Sequence, residues 1–160
     1  MLSIQVSDIK DFMSHLLSKD TFDHFYFIEA SIKMGVSYQI QGRINEGFYD
    51  TSVEQTLNRE FCYWKEIRHR IFDIIKGKRL PLSCKIVLGL SKQSISYLIA
   101  HNNSSFREED IEGIYVNILY DPKNLLITTG ISYKNFSLDK SLEYAFDEYL
   151  AKFLKKKAVI

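Results

Sequence analysis

Apolar positions along the chain change their period several times, and the succession of changes is written twice. From Leu2 to Val6 apolar and polar side chains alternate, which is the period of a short strand. Ser7 then reads as a helix N-cap, with Asp8 and Asp11 placed where negative charge suits the helix dipole. Ile9, Phe12, Met13, Leu16 and Leu17 follow at helical spacing along one face. The stretch from Phe25 to Ile32 is dense in aromatic and β-branched residues. Beyond it, Val36, Tyr38 and Ile40 alternate with Ser37, Gln39 and Gln41, so Lys33-Met34-Gly35 reads as a hairpin turn. Residues 42–60 carry no clear period, and Phe48 and Tyr49 are the expected anchors there. Trp64, Ile67, Ile71, Ile74 and Ile75 then predict a second helix, stopped by Gly77 and Pro81.

The second half repeats this order. Leu82, Cys84, Ile86, Leu88 and Leu90 alternate with their neighbours as a strand, and Ser91 caps a short helix bearing Ile95, Leu98 and Ile99. Strands over 114–120 and 125–133 flank Asp121-Pro122-Lys123-Asn124, where proline fits the second position of a type I turn. Leu142, Ala145, Phe146, Tyr149, Leu150, Phe153 and Leu154 form the clearest helical stripe of all, with Lys155, Lys156 and Lys157 at its end complementing the dipole.

Two local hairpins and few parallel crossovers predict an α+β fold, with an antiparallel or mixed sheet and helices on one side. The doubled order predicts a duplicated β-α-β-β(-α) arrangement, with halves of about 1–80 and 81–160 inside one domain spanning 1–160. In its order of elements the chain resembles the duplicated units of bacterial effector-binding domains, or a single domain of a sliding clamp. That is a likeness of topology and implies no chemistry.

Composition narrows the function classes. Of 160 residues 46% are hydrophobic and 26% charged, values of a globular domain rather than a disordered one. With 10 tyrosines and 11 phenylalanines against one tryptophan, an aromatic-rich core is expected. A formal net charge of +1 provides no global field for nucleic acid or an anionic membrane, so a nucleic-acid partner would need a local patch. No apolar run reaches the roughly 20 residues that cross a bilayer, and no membrane partner is expected. Cys62 and Cys84 cannot build a disulfide framework, and the first residues lack the pattern of an export signal. A cytoplasmic location is the expectation.

Candidate chemistry falls in three places. Lys65, Arg68, His69, Lys76, Lys78 and Arg79 gather on the second helix and the turn after it. A basic face there would hold phosphates, with Tyr63 or Trp64 as a stacking surface; Glu66 and Asp73 would equally make it an ordinary solvated face. Asp20, Asp23 and His24 crowd one turn, with Glu29 on the following strand, but the odd separation of His24 and Glu29 sends them to opposite faces. Tyr26, Tyr38, Tyr115 and Tyr133 would line a groove for a small ligand or partner segment, or serve as core. The cysteines lack C-x-x-C spacing and the histidines share no ligand spacing, so no metal and no cofactor is expected. Ser7/Lys10 and Ser137/Lys140 have the spacing of some acyl-transfer sites, yet both serines precede helices, where capping accounts for them. No phosphate-cradling glycine loop occurs.

Four segments carry a family resemblance. They are Val6-Ser7-Asp8-Ile9-Lys10-Asp11-Phe12-Met13, Thr21-Phe22-Asp23-His24-Phe25, the run from Ile75 through Gly77 and Pro81 to Ser83, and Ser137-Leu138-Asp139-Lys140-Ser141-Leu142-Glu143. Together they resemble an uncharacterised bacterial family of unknown function, found mainly in clostridia-like bacteria. The resemblance spans nearly the whole chain and implies a single complete domain. It assigns no activity, cofactor or catalytic residue.

The leading expectation is a non-enzymatic module that binds a small ligand or a protein partner. An anion or nucleic-acid binder using the Lys65 to Arg79 region, and an enzyme centred on Asp23 and His24, are the alternatives.

Overall fold

In the computed structural model, which describes residues 1–49, 59–157 and 159, the doubled order is present. The first half runs β1 (Ser3–Gln5), α1 (Ile9–Leu17), β2 (Tyr26–Lys33), β3 (Ser37–Gln41) and α2 (Trp64–Ile75). The second runs β4 (Ser83–Gly89), α3 (Lys92–His101), β5 (Ile111–Tyr120), β6 (Leu125–Tyr133) and α4 (Ser141–Lys156). The six strands form one sheet in the order β1-β6-β5-β4-β2-β3, and every neighbouring pair is antiparallel. The fold is α+β. Element order is duplicated, but strand pairing is not. β4, β5 and β6 lie side by side, whereas β1 pairs with β6 at the far edge and β4 takes the place beside β2.

Local chemistry explains most boundaries. Asp8, one residue later than Ser7, caps α1: its carboxylate accepts the Asp11 N–H at 3.0 Å. Ser91 caps α3 by accepting from the Ser94 N–H at 3.2 Å. Gly77 follows α2 with φ of 150°, a conformation that suits glycine. The β5–β6 turn is closed by Asp121, whose backbone N–H donates to Asn124 O at 2.9 Å while its carboxylate accepts from the Lys123 and Asn124 N–H groups.

Strand period sorts the sheet into two faces. Ala30 and Ile32, Cys84, Ile86 and Leu88, Val116 and Ile118, and Leu125 and Ile127 point to the buried face, in matching register. Against them lie Phe12 and Leu16 of α1, Trp64 and Ile71 of α2, Leu98 of α3, and Leu142, Phe146 and Leu150 of α4. Phe22 and Phe25 meet Phe153 at 5.8 and 5.5 Å, joining the loop after α1 to α4. Helices therefore cover one side, and the other presents Glu29, Lys33, Lys85 and Leu119 to solvent. Phe48, expected as an anchor, is 83% exposed on a single 3-10 turn, Glu46–Phe48. The rest of that loop, residues 50–58, lies outside the described residues.

Candidate functional site

Past Gln41 the strands β2 and β3 splay apart, and the chain returning toward α2 fills the gap. Phe27 N–H donates to Cys62 O at 2.8 Å, Cys62 N–H to Gly42 O at 2.9 Å, and Ile44 N–H to Glu60 O at 2.7 Å. Isolated antiparallel bridges Tyr26↔Tyr63 and Arg43↔Phe61 mark the same wedge. Gly42 stands at the apex. A Cβ there would sit 1.8 Å from Phe27 O, so no other residue fits without moving the backbone. Arg59 pins the wedge to α2: its guanidinium donates to both Glu66 carboxylate oxygens at 2.7 and 2.9 Å and to Phe61 O at 2.9 Å. Glu66 also accepts the Tyr63 N–H at 2.6 Å and so caps the helix. The Arg59 hydrogen bond is the main reason that the Glu66 carboxyl is held below the usual range.

This wedge brings aromatic rings together where the open face meets the start of α3. Tyr26 lies 6.3 Å from Phe61 and 5.3 Å from Tyr63, ring centre to ring centre. Tyr26, Phe61 and Tyr115 wall a recess floored by Gly89 and Ile114. The recess opens into a cleft of about 660 Å³ bordered by Arg43, Lys92, Glu108, Glu112 and Lys134. Gly113 makes Tyr115's position possible, because a Cβ on it would meet the tyrosine hydroxyl at 2.2 Å. Burial pushes the Tyr26 phenol up, against the opposing pull of the Lys92 backbone amide; burial, then the Glu112 charge, pushes up Tyr115. Both remain neutral phenols at physiological pH, able to donate and accept. The rim carries both signs of charge. Arg43 pairs with Glu60 at 3.4 Å and covers the Phe61 ring at 5.1 Å, and Ser132 donates to Glu112 at 2.7 Å. Lys92 and Lys134 are exposed. Such a cleft suits a small molecule with an apolar or aromatic body and polar groups of both signs.

Of the four tyrosines singled out by sequence, only Tyr26 and Tyr115 meet here. Tyr38 lies on edge strand β3, and Tyr133 sits under Phe106 at 5.0 Å, its hydroxyl buried without a partner among the described residues. The basic set divides as well. Lys65, His69, Lys76, Lys78 and Arg79 are exposed, with Lys76 paired to Asp73 at 3.0 Å. Arg68 does not share their face, contrary to the expectation. It lies four residues after Trp64 and three before Ile71, on the core side, and is only 8% exposed. Its guanidinium holds both Asp23 carboxylate oxygens at 2.8 and 3.1 Å and donates to Leu17 O at 3.3 Å.

That pairing also separates Asp23 from His24. His24 is exposed and lines a different cleft, of about 210 Å³, with Asp20, Ser94 and Lys157. Burial pushes the thiols up to about 11 at Cys62 and about 12 at Cys84, which makes both poor nucleophiles. Among the described residues no three potential metal-ligand side chains gather. Ser137 accepts from the Asp139 N–H at 3.1 Å and closes a turn before α4 rather than capping it, since the N-cap position is Lys140.

Phe61, Lys92 and Glu112 escaped the sequence reading. Gly113, one residue before the strand expected at 114–120, is the sequence signal that could have marked the close approach beside Tyr115. No curated protein and no solved structure matches the chain. The profile of a family of unknown function, DUF5721, matches residues 15–160, and the chain belongs to that family.

Proposed function

We propose that the chain is a non-enzymatic binding module of the cytoplasm, and that it holds a small mixed-charge ligand in the cleft walled by Tyr26, Phe61 and Tyr115. The observation that carries this reading is the convergence of three aromatic rings from separate stretches of chain, beneath a rim of unlike charges. The catalytic alternative loses support from the same geometry, since Asp23 is committed to Arg68 and both thiols are raised. Two free cysteines, and the lack of any helix among the described residues long and apolar enough to cross a membrane, are in keeping with the cytoplasmic reading.

The test is a calorimetric titration with three matched probes: an aromatic amino acid, the corresponding amine and the corresponding carboxylate. The amino acid binds most tightly if both rim charges are used. Phe61→Ala and Lys92→Ala then weaken it about ten-fold each, while Lys85→Ala, on the open face, changes nothing. Binding indifferent to Phe61→Ala, or no binding by any probe, overturns the reading.

A second reading rests on a separate observation. Lys65, His69, Lys78 and Arg79 remain exposed, so an anion or nucleic acid has a face to meet even without Arg68. It predicts affinity for single-stranded RNA that falls steeply with salt, and a shallower slope in the Lys78→Ala, Arg79→Ala double variant.

A further inference from the structure

The sheet ends in two strands of different character. β1 has three residues, and short edges seldom recruit another strand. β3 has five, Ser37–Gln41, with no charge, no proline and an unbroken register against β2. Charges, prolines and bulges are the usual means of keeping an edge from pairing. Among the described residues nothing pairs with the outer side of β3.

The hydrogen-bond parity of that edge can be read from its ends. Gly42 N–H donates to Ile28 O at 2.8 Å and Met34 N–H to Val36 O at 3.0 Å. In this register the even-numbered residues of β3 bond to β2, and the N–H and C=O groups of Ser37, Gln39 and Gln41 point outward. An antiparallel partner of the same sequence, related by a twofold axis through Gln39, sets Gln39 opposite Gln39 and Ser37 opposite Gln41. All of these are outward-pointing residues. Every free backbone group on the edge then finds a partner, and each pair exchanges two hydrogen bonds.

Side chains fit the same register. On the helix-covered side Tyr38 stands opposite Ile40 of the second copy, closing over a ring that is 37% exposed in one chain alone. With no charge anywhere on the strand, no like charges meet across the axis.

We propose that β3 pairs with β3 of a second copy of this chain, joining two sheets into one continuous antiparallel sheet. The occupant is a second copy because the edge is self-complementary in parity, in charge and in its apolar pair. This inference does not depend on the ligand cleft.

Sedimentation velocity over a concentration series tests it. The wild-type chain sediments as a dimer. Gln39→Lys places two cations directly opposite each other across the axis and weakens the dimer by about ten-fold or more. Gln39→Pro removes an outward N–H and abolishes it, while the matching change on the short edge, Gln5→Lys, leaves it intact. Unchanged melting of the Gln39→Lys monomer shows that the chain itself still folds. A wild-type chain that stays monomeric at its highest soluble concentration overturns the proposal, whatever else then covers the strand. So does a dimer indifferent to both Gln39 changes, which would assign the interface to another face.

Discussion

The two halves of the chain run through the same succession of strands and helices, yet they build different pieces of sheet. In the second half β4, β5 and β6 are neighbours, and a four-residue turn closes β5 onto β6. In the first half β1 is displaced to the far edge, and β2 and β3 part company beyond Gln41. The regular half supplies much of the core. The irregular half supplies the wedge of Phe61 to Tyr63, the aromatic walls it brings to Tyr26, and the uncharged outer strand. Departure from the repeat, more than the repeat itself, creates the aromatic cleft and the uncharged edge on which the two proposals rest.

Glycines break this comparison most sharply. Gly42 and Gly130 stand at the same distance from the start of β3 and of β6, but only the first lies against another backbone. Gly42→Ala is expected to cost about 3 kcal/mol or more in chemical denaturation, because a backbone carbonyl must move. Gly130→Ala meets open space and stays within about 0.5 kcal/mol of wild type. Equal effects would mean that the two halves are built alike.

Next in size is the tie between α1 and α2. The side chains of Asp23, in the loop after α1, and of Arg68 are 14% and 10% exposed, and the Trp64 indole N–H donates to Leu16 O at 2.7 Å; no such bond joins α3 to α4 among the described residues. Asp23→Ala leaves the guanidinium buried without its partner and is expected to cost about 3 kcal/mol in the same assay. A cost under 1 kcal/mol, roughly that of a surface pair, would place the pair outside the core.

Much of this was legible from period alone. α2 and α4 declared themselves by apolar stripes, and the Asp121-Pro122 turn by its chemistry, because each depends on residues close in sequence. Tyr26 and Tyr115 stood out as aromatic strand residues. The wedge did not, since Phe61 to Tyr63 pair with backbone at 25–27 and 42–44, and no local pattern records a partner that distant. Arg68 misled for a related reason: its charge suggests solvent, and only the fold brings Asp23 to it. At the start of α1 the choice between Ser7 and Asp8 is one residue wide, and both are good caps.

A smaller effect concerns the clamp that holds the wedge to α2. The folded pKa of Glu66 lies below its unfolded value of about 4.3, so the clamp's stabilisation is fully present above that value. It is lost as pH falls through the lowered folded pKa. Glu66 is 40% exposed, so solvent screening keeps the contribution under about 1 kcal/mol. The stability gap between wild type and Glu66→Gln should therefore be constant near neutrality and shrink below pH of about 4. A gap that widens in acid would reverse the sign. Smallest is a difference in reactivity. At neutral pH Cys62, in the wedge, should react with a disulfide reagent before Cys84, in β4, and both more slowly than in urea. Reaction of Cys84 first would mean that the regular half opens more readily.

Amide hydrogen exchange on the intact chain tests the origin of the cleft most directly. If β2 and β3 are splayed around a true third strand, the N–H groups of Phe27, Gly42 and Cys62 exchange as slowly as those at the centre of β5, because each has a backbone acceptor at 2.9 Å or closer. Fast exchange at Gly42 and Cys62, with β5 still protected, would show a loose loop where the wedge is described, and the aromatic cleft would lose the strand that holds it.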